Sequence, residues 1–213
     1  MKFKLLLCCF LIVSFQIAAQ QQPSNQQEPS NQKEQTLFSK SKLRGGWGGV
    51  DFCGSKVGNH TGYGTGGSLG LVFDNLSVGL YGTGEVYNGF QRENKDYAFT
   101  LGHGGLMVGY AYPTKKSLHL MGSVKLGAGA VGLARRYNDW NWGVDENDFN
   151  DAILVVMPEV GLELNLTHWM RISATAGYRF VDGFEGIPEL SKTDLNAPVF
   201  GLNFRFGWFG HKK

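Results

Sequence analysis

The chain has 213 residues, a length that suits a single domain, and 20 Lys and Arg against 18 Asp and Glu leave a formal net charge of +2. Only 18% of the residues are charged. Because basic patches with interleaved aromatic residues do not occur, the composition argues against a nucleic-acid partner.

The first twenty residues are organised like a secretory signal peptide. Lys2 and Lys4 precede an apolar stretch at residues 5–13, and the small residues Ala18 and Ala19 follow. The stretch is too short to cross a membrane as a helix, and cleavage is expected beside the alanine pair. Removal of residues 1–20 takes away two lysines and no acid, so the exported chain would be formally neutral.

The cysteines support the same interpretation. Cys8 and Cys9 raise the alternative of a lipoprotein, which is disfavoured because no small residue precedes Cys8. After cleavage Cys53 is the only cysteine, so an intramolecular disulfide framework is excluded. We interpret Cys53 as a small residue packed in a strand and keep a reactive thiol as the alternative.

Residues 21–42 consist mainly of Gln, Pro, Ser, Asn, Glu and Lys and contain a near repeat of Pro-Ser-Asn-Gln at residues 23–26 and 29–32. Such a segment has too few apolar side chains to form a core. We expect a disordered periplasmic linker, with binding to peptidoglycan or to a partner as the alternative.

From residue 43 to residue 209 the sequence predicts an all-β domain, followed by a short tail at residues 210–213. Apolar residues alternate with polar or small ones, and helical spacing is not sustained. Eight strands are predicted, at residues 46–54, 62–73, 76–87, 99–112, 118–133, 153–166, 170–181 and 199–208. Many reach the nine to eleven residues that a tilted strand needs to cross a bilayer.

The alternation of apolar and polar residues, which we call parity, does not say which face of these strands points outward. A soluble barrel would place the apolar face inside. Two observations favour a membrane barrel. The polar face is mostly Gly, Ser, Thr and Asn, which suits a narrow lumen. The links also alternate in length: those at 74–75, 113–117 and 167–169 are short, and those at 55–61, 88–97, 134–151 and 182–198 are long.

This topology places outward aromatic residues near the strand ends. The periplasmic set is Phe73, Tyr110, Tyr112 and Trp208, and the outer set is Tyr63, Tyr178 and Phe180. Amphipathic rings settle at the level of the lipid headgroups, so the two sets predict aromatic girdles. The sequence therefore predicts an eight-stranded antiparallel up-and-down transmembrane β-barrel in the cell outer membrane of a Gram-negative bacterium.

Residues 155–167, 177–183 and 204–209 resemble a family of small, largely uncharacterised outer-membrane β-barrel proteins of Bacteroidota. The resemblance is strong over the last third of the chain and loose over the Gly-rich first half. It implies an outer-membrane barrel and supplies no activity, so no functional residue follows from it.

The inward parity of the strands predicts a charge network in the lumen. Its acids are Asp51, Glu85, Glu159 and Glu163, and its bases are Lys125, Arg171, Arg179 and Arg205. Glu163 and Arg171 should be neighbours across a hairpin, and barrel closure could bring Asp51 toward Arg205. Because an unpaired buried charge costs several kcal/mol, we expect the charges to pair and to fill the lumen rather than to line a conducting pore.

Catalysis is the alternative function for a small barrel of this type, through a lipid-modifying site. His119 and Ser123 share a face, but they lie toward the periplasmic end. His103 has no Ser or acid near it in sequence, and His60 lies in a predicted loop. A general base needs a nucleophile within hydrogen-bond reach and a group that orients it, so we predict no catalytic residue and no cofactor.

The long link between the fifth and sixth predicted strands combines acids with tryptophans. Asp145, Glu146, Asp148 and Asp151 are weak candidates for a metal site, but their spacing differs from that of a calcium loop, so a solvated acidic loop is expected. Trp140 and Trp142 are the candidates for a contact surface, because exposed aromatic residues commonly mark binding.

We therefore predict a structural or interaction barrel whose extracellular loops are the contact surface. Its expected partners are outer-membrane lipid and lipopolysaccharide, with a protein partner reached through the loops. The alternative is a soluble periplasmic barrel that binds an apolar ligand.

Overall fold

A computed structural model describes residues 42–92, 95–112, 116–138, 141–143, 150–186 and 190–209. Residues 1–41 lie outside this part, and with them the predicted signal peptide and nearly all of the linker. The described strands are β1 (Leu43–Val57), β2 (His60–Phe73), β3 (Leu76–Arg92), β4 (Lys95–Tyr112), β5 (Leu118–Asn138), β6 (Asn141–Gly143), β7 (Asn150–Asn165), β8 (Met170–Asp182) and β9 (Ala197–Gly207). In the described part of the chain, no helix is long and apolar enough to cross a membrane.

Eight of these strands form a closed antiparallel barrel. Each long strand pairs with the next one along the chain, and β1 pairs with β9 from Trp47 opposite Gly207 to Ser55 opposite Val199. The three-residue β6 pairs with the extension of β5 and stands outside this ring. The predicted eight-stranded, up-and-down antiparallel barrel is confirmed.

Several strands are longer than predicted, mostly at the end of the barrel opposite the turn at residues 74–75, and β1 also begins three residues earlier, at Leu43. β3 continues to Arg92, and β5 continues to Asn138. Consequently, two links predicted to be long are short: β1 and β2 are joined by a two-residue turn at Gly58 and Asn59, and β3 and β4 are separated by two residues. Polar residues in this region resemble a loop in sequence but continue the strand ladder.

The two ends of the barrel remain different. We call the end with residues 74–75, 113–117 and 166–169 the turn end, and the opposite end the loop end. The segment at residues 183–196, between β8 and β9, is long as predicted. The β5–β7 connection is interrupted by β6.

The outer face of the barrel is apolar, as the alternation predicts. On β7, Leu154, Val160 and Leu162 are exposed, whereas Glu159 and Glu163 are buried inside. Exposed aromatic residues occur toward both ends: Tyr110, Tyr112 and Trp208 near the turn end, and Tyr63, Tyr178 and Phe180 near the loop end. Phe73, predicted with them, is only half-exposed.

The barrel interior contains two apolar clusters. The larger one lies at the loop end and includes Tyr87, Phe99, Ile153, Val155 and Leu195. The smaller one consists of Trp47, Val72, Tyr81, Met107 and Phe209. Phe209 follows the last strand and packs inside the turn end, so apolar side chains fill the lumen toward both mouths.

Candidate functional site

The predicted lumen residues all lie on the inner face of the barrel. Asp51, Glu85, Lys125, Glu159, Glu163, Arg171 and Arg179 are buried, and Arg205 is half-buried. Because inward residues alternate along each strand and neighbouring strands are in register, these charges are brought together in three groups between the apolar clusters.

The group nearest the loop end is centred on Glu85 and Arg179. Arg179 Nη1 donates to both carboxylate oxygens of Glu85, at 2.7 and 2.8 Å, and Arg179 is 0% exposed. Ser55 Oγ also donates to Glu85, at 2.6 Å, and Tyr87 donates its hydroxyl hydrogen to the same carboxylate. One guanidinium nitrogen shared between both oxygens, together with two hydroxyl donors, satisfies this buried carboxylate.

His103 extends this group toward the middle of the lumen. Its Nε2 lies 3.4 Å from Glu85 Oε1, and its Nδ1 lies 3.1 Å from the hydroxyl of Tyr81. The ring of Tyr81 also lies edge-on to His103, with ring centroids 5.5 Å apart. The histidine therefore joins Glu85 to the aromatic packing of the lumen.

The middle group contains one close ion pair. Lys125 Nζ lies 3.1 Å from Glu159 Oε1, and Ser123 Oγ donates to Glu159 Oε2 at 3.0 Å. Asp51 faces a small cavity of about 10 Å³ that Lys125 and Glu159 also line. A space of this size holds about one water molecule.

The group nearest the turn end is centred on Glu163. Arg171 Nη1 donates to Glu163 Oε1 at 2.8 Å, and Arg205 Nη1 donates to Glu163 Oε2 at 3.1 Å. His119 Nε2 lies 3.0 Å from Glu163 Oε1. Three nitrogen-bearing side chains thus converge on one carboxylate.

The suggested pairing of Asp51 with Arg205 does not form. In the β1–β9 register Asp51 lies opposite Asn203, whereas Arg205 lies opposite Gly49. Arg205 therefore lies one inward-facing position closer to the turn end than Asn203 does, and there it reaches Glu163. Among the described residues, Asp51 has no ion-pair partner.

The sequence reasoning missed the two histidines as partners of the lumen acids. His119 has the inward parity of Ser123 and Lys125, and it lies directly opposite Glu163 in the β5–β7 register. His103 is one strand away from Glu85, opposite Thr83. Parity could have indicated both histidines, but only the register shows which acid each one meets.

Residues 183–186 and 190–196, between β8 and β9, cover the loop end of the lumen, and we call them the lid. Phe184, Leu190 and Leu195 belong to the apolar cluster beneath it. Arg179 Nε donates to the carbonyl oxygen of Leu195 at 3.0 Å, and the Gly58 amide donates to that of Asp194 at 3.2 Å. The lid is therefore fixed by apolar packing and by hydrogen bonds to the strand ends.

Most candidates in the acidic loop lie outside the described residues, namely Asp145, Glu146, Asp148 and Trp140. Trp142 lies in β6, where only the backbone is described. Asp151 is described, and its Oδ2 accepts a hydrogen bond from the Glu185 amide at 3.0 Å. Among the described residues, no group of three or more His, Cys, Asp or Glu could hold a metal ion.

At the rim of the turn end, an exposed ion pair joins the start of β1 to the β2–β3 turn. Arg44 Nε donates to Asp74 Oδ1 at 2.7 Å, and the Lys42 amide donates to Asp74 Oδ2 at 3.3 Å. The hydrogen bond from Arg44, more than the one from Lys42, lowers the pKa of the Asp74 carboxyl below its ordinary value.

Comparison with protein families gives one match. Residues 6–206 match the family model described as an outer membrane protein beta-barrel domain. No curated protein matches the chain.

Several solved structures are similar to this chain. The chain is similar to Neisserial surface protein A, with a TM-score of 0.52 at 10% identity, over 76% of this chain and 96% of that one. It is also similar to the N-terminal β-barrel domain of OprF from Pseudomonas aeruginosa, with a TM-score of 0.43 at 16% identity over 76% and 97% of the two chains. It is similar to Ail of Yersinia pestis as well, with a TM-score of 0.43 at 14% identity over 78% of this chain and 99% of that one. At 10% identity, the likeness to Neisserial surface protein A concerns the fold alone.

Proposed function

Because the chain belongs to the outer membrane protein β-barrel family and lies in the cell outer membrane, we propose that it is a structural or interaction barrel with a filled lumen. The observation that carries this proposal is the interior, in which paired charges lie between apolar clusters. In this membrane the turn end faces the periplasm and the loop end faces outward.

Conductance in planar bilayers tests the filled lumen. An eight-stranded barrel has an interior just wide enough for side chains, and here Arg179, Glu163 and the lid occupy it. We expect no steady channel openings from the purified protein. A stable unitary conductance, present in independent preparations and absent from a variant that does not fold, would contradict the filled lumen.

We further propose that the extracellular loops are the contact surface, with Trp140 and Trp142 as its aromatic anchors and lipopolysaccharide or a protein as the partner. The support is the sequence, which places two tryptophans among acids in the longest link. Cross-linking in intact cells and purification from membranes should retain a partner with the wild type and lose it with Trp140→Ser/Trp142→Ser. Equal recovery from both proteins would contradict this surface.

The enzyme alternative has little geometric support, and we propose that the chain is not an enzyme. His119 is held by Glu163 and Ser123 donates to Glu159, so the two side chains engage different acids. Both are buried. Lipid A mass spectra from cells that lack or overproduce the protein should be identical, and a reproducible change in lipid A would support the enzyme.

The remaining predictions concern processing and origin. We propose that residues 1–20 are removed as a signal peptide, that residues 21–42 form a periplasmic linker, and that the source belongs to the Bacteroidota, as the resemblance implies. Mass spectrometry of the protein purified from outer membranes tests the first of these: the expected N terminus lies at residue 20 or 21. The soluble alternative does not fit a member of this family.

A further inference from the structure

The turn-end group of the lumen carries more positive than negative charge. Arg171 and Arg205 both donate to Glu163, which is the one carboxylate in contact with either guanidinium among the described residues. Elsewhere in the lumen, Arg179 pairs with Glu85 and Lys125 pairs with Glu159, and Asp51 has no ion-pair partner among the described residues. The excess of one positive charge is therefore local to the turn end.

Part of this positive charge lacks a hydrogen-bond acceptor. Arg205 Nε is buried and makes no hydrogen bond, although its Nη1 reaches Glu163. The guanidinium carbons of Arg205 and Arg171 lie over the rings of Trp47 and Phe209, at 4.6 and 4.0 Å from the ring centroids. Because the N–H bonds of a guanidinium lie in its plane, a ring against its face leaves the edges free to donate hydrogen bonds.

Both arginines line a cavity of about 30 Å³. Its lining includes Trp47, Ser77, Arg171, Arg205 and Phe209. This volume accommodates about two water molecules, or one small anion in their place. Two carboxylates also reach it: Glu163, shared by both arginines, and Asp74, which is neutralised by Arg44.

We propose that this cavity binds a small monovalent inorganic anion of the size of chloride. The anion lies between Arg171 and Arg205, accepts the hydrogen bond that Arg205 Nε lacks, and balances the second guanidinium. Burying an uncompensated charge costs free energy, and a bound anion removes that cost. The site is separate from the loop contact surface at the other end of the barrel.

Thermal unfolding in two salts tests the proposal with the protein purified from outer membranes in detergent. At constant ionic strength, the midpoint temperature should be higher in sodium chloride than in sodium gluconate, by on the order of 5 °C at saturation. Arg205→Gln should abolish this difference. Lys56→Gln, which makes the same charge change at an exposed position of the loop end, should retain it.

A second variant should raise the apparent affinity of the cavity for chloride. Glu163→Gln removes the carboxylate that competes with the anion for both arginines. Half of the rise in the midpoint temperature should therefore appear at a lower chloride concentration than in the wild type. Equal midpoints of the wild type in the two salts would overturn the proposal, and so would an unchanged chloride response in Arg205→Gln.

Bromide replaces chloride as a probe that does not depend on any variant folding. Crystals of the wild-type protein soaked in sodium bromide should show anomalous density in the cavity beside Arg205 Nε. A cavity that holds only water under these conditions would overturn the proposal.

Discussion

Arg179 connects three parts of the molecule through one side chain. Its guanidinium pairs with Glu85 in the lumen, and its Nε and Nη2 donate to the carbonyl oxygens of Leu195 in the lid and Lys56 at the end of β1. The side chain is completely buried. A charge in such a position is stable because a carboxylate pairs with it and each of the three guanidinium nitrogens donates to an acceptor.

Glu85→Gln should therefore be strongly destabilising. The variant leaves the Arg179 charge buried without a carboxylate, which costs about 3–5 kcal/mol. Urea unfolding of the protein in phospholipid vesicles, followed by tryptophan fluorescence, gives the free energy of unfolding. Ser123→Ala is the control, because it removes one hydrogen bond to Glu159 and should cost about 1 kcal/mol. Equal losses in the two variants would contradict the special role of the Glu85–Arg179 pair.

The Arg44–Asp74 pair predicts a pH dependence at the periplasmic rim. Because the folded pKa of Asp74 is lowered, the pair contributes stability above the ordinary pKa of an aspartate, and this contribution is lost as the pH falls through the lowered value. The carboxyl carbon of Asp74, followed by NMR, should titrate at a lower pH in the wild type than in Arg44→Gln. Identical titration midpoints would show that Arg44 does not hold this carboxylate.

At the residue scale, the sequence predicts which side chains enter the lumen but not which ones meet. Period-two parity is a local property, so all eight predicted charges lie on the inner face. Pairing depends on the stagger between strands, which places Arg205 beside Glu163 and away from Asp51. Turn geometry and barrel closure set that stagger, and neither is visible in the sequence of one strand.

At the element scale, the centres of the strands are predictable and their ends are not. The sequence predicts β1 to end near residue 54, but the strand continues to Val57 before a turn at Gly58, where φ is +57°. Lys56 and Thr61 face outward beyond the apolar band, so their polarity reflects an aqueous surface and not a loop. Strands that extend above a membrane lose the hydrophobic alternation by which they are recognised.

Glycines in neighbouring strands should respond differently to substitution. A Cβ added to Gly62 would lie 2.3 Å from the Tyr87 ring and 2.6 Å from the carbonyl oxygen of Val86, so Gly62→Ala should cost about 1–3 kcal/mol. A Cβ at Gly84 meets no atom within 4 Å, and Gly84→Ala should be neutral or slightly stabilising. Unfolding free energies in vesicles compare the two, and a reversed order would contradict the close packing of β2 on Tyr87.

Opening the lid should make the lumen accessible from outside the cell. Cys53 lies on the inner face of β1 and packs partly against the loop-end apolar cluster. In Phe184→Ala/Leu195→Ala, the packing that holds the lid is lost, so a small maleimide should label Cys53 faster than in the wild type. Heat-dependent gel migration shows which molecules are folded, and Cys53→Ser corrects for other thiols.

Glu185→Ala is the matched control for lid opening. Its side chain is exposed, and its contact with Asp151 uses the backbone amide, so labelling of Cys53 should stay at the wild-type rate. An unchanged rate in the double variant, measured on folded protein, would show that the lid does not limit access to the lumen.

At the scale of the whole molecule, the barrel is apolar on the outside and polar, with apolar ends, on the inside. A soluble barrel of the same parity would have the opposite arrangement. The outward face of β7 carries Leu154, Val156, Pro158, Val160, Leu162 and Leu164 in succession. Since the hydrocarbon of the membrane is the medium that this surface contacts, its tolerance of charge should depend on depth.

Two arginine substitutions on this face measure that dependence. Val160 is 67% exposed near the middle of the apolar band, and Leu166 is 52% exposed beyond the turn end of β7. In phospholipid vesicles, Val160→Arg should lower the free energy of unfolding by about 2–4 kcal/mol, whereas Leu166→Arg, close to the interface, should cost about 0–1 kcal/mol. Neither residue packs in the lumen, so the difference reports the surrounding lipid and not the barrel interior. If both substitutions had the same small effect, Val160 would not lie at the depth that the barrel geometry assigns to it.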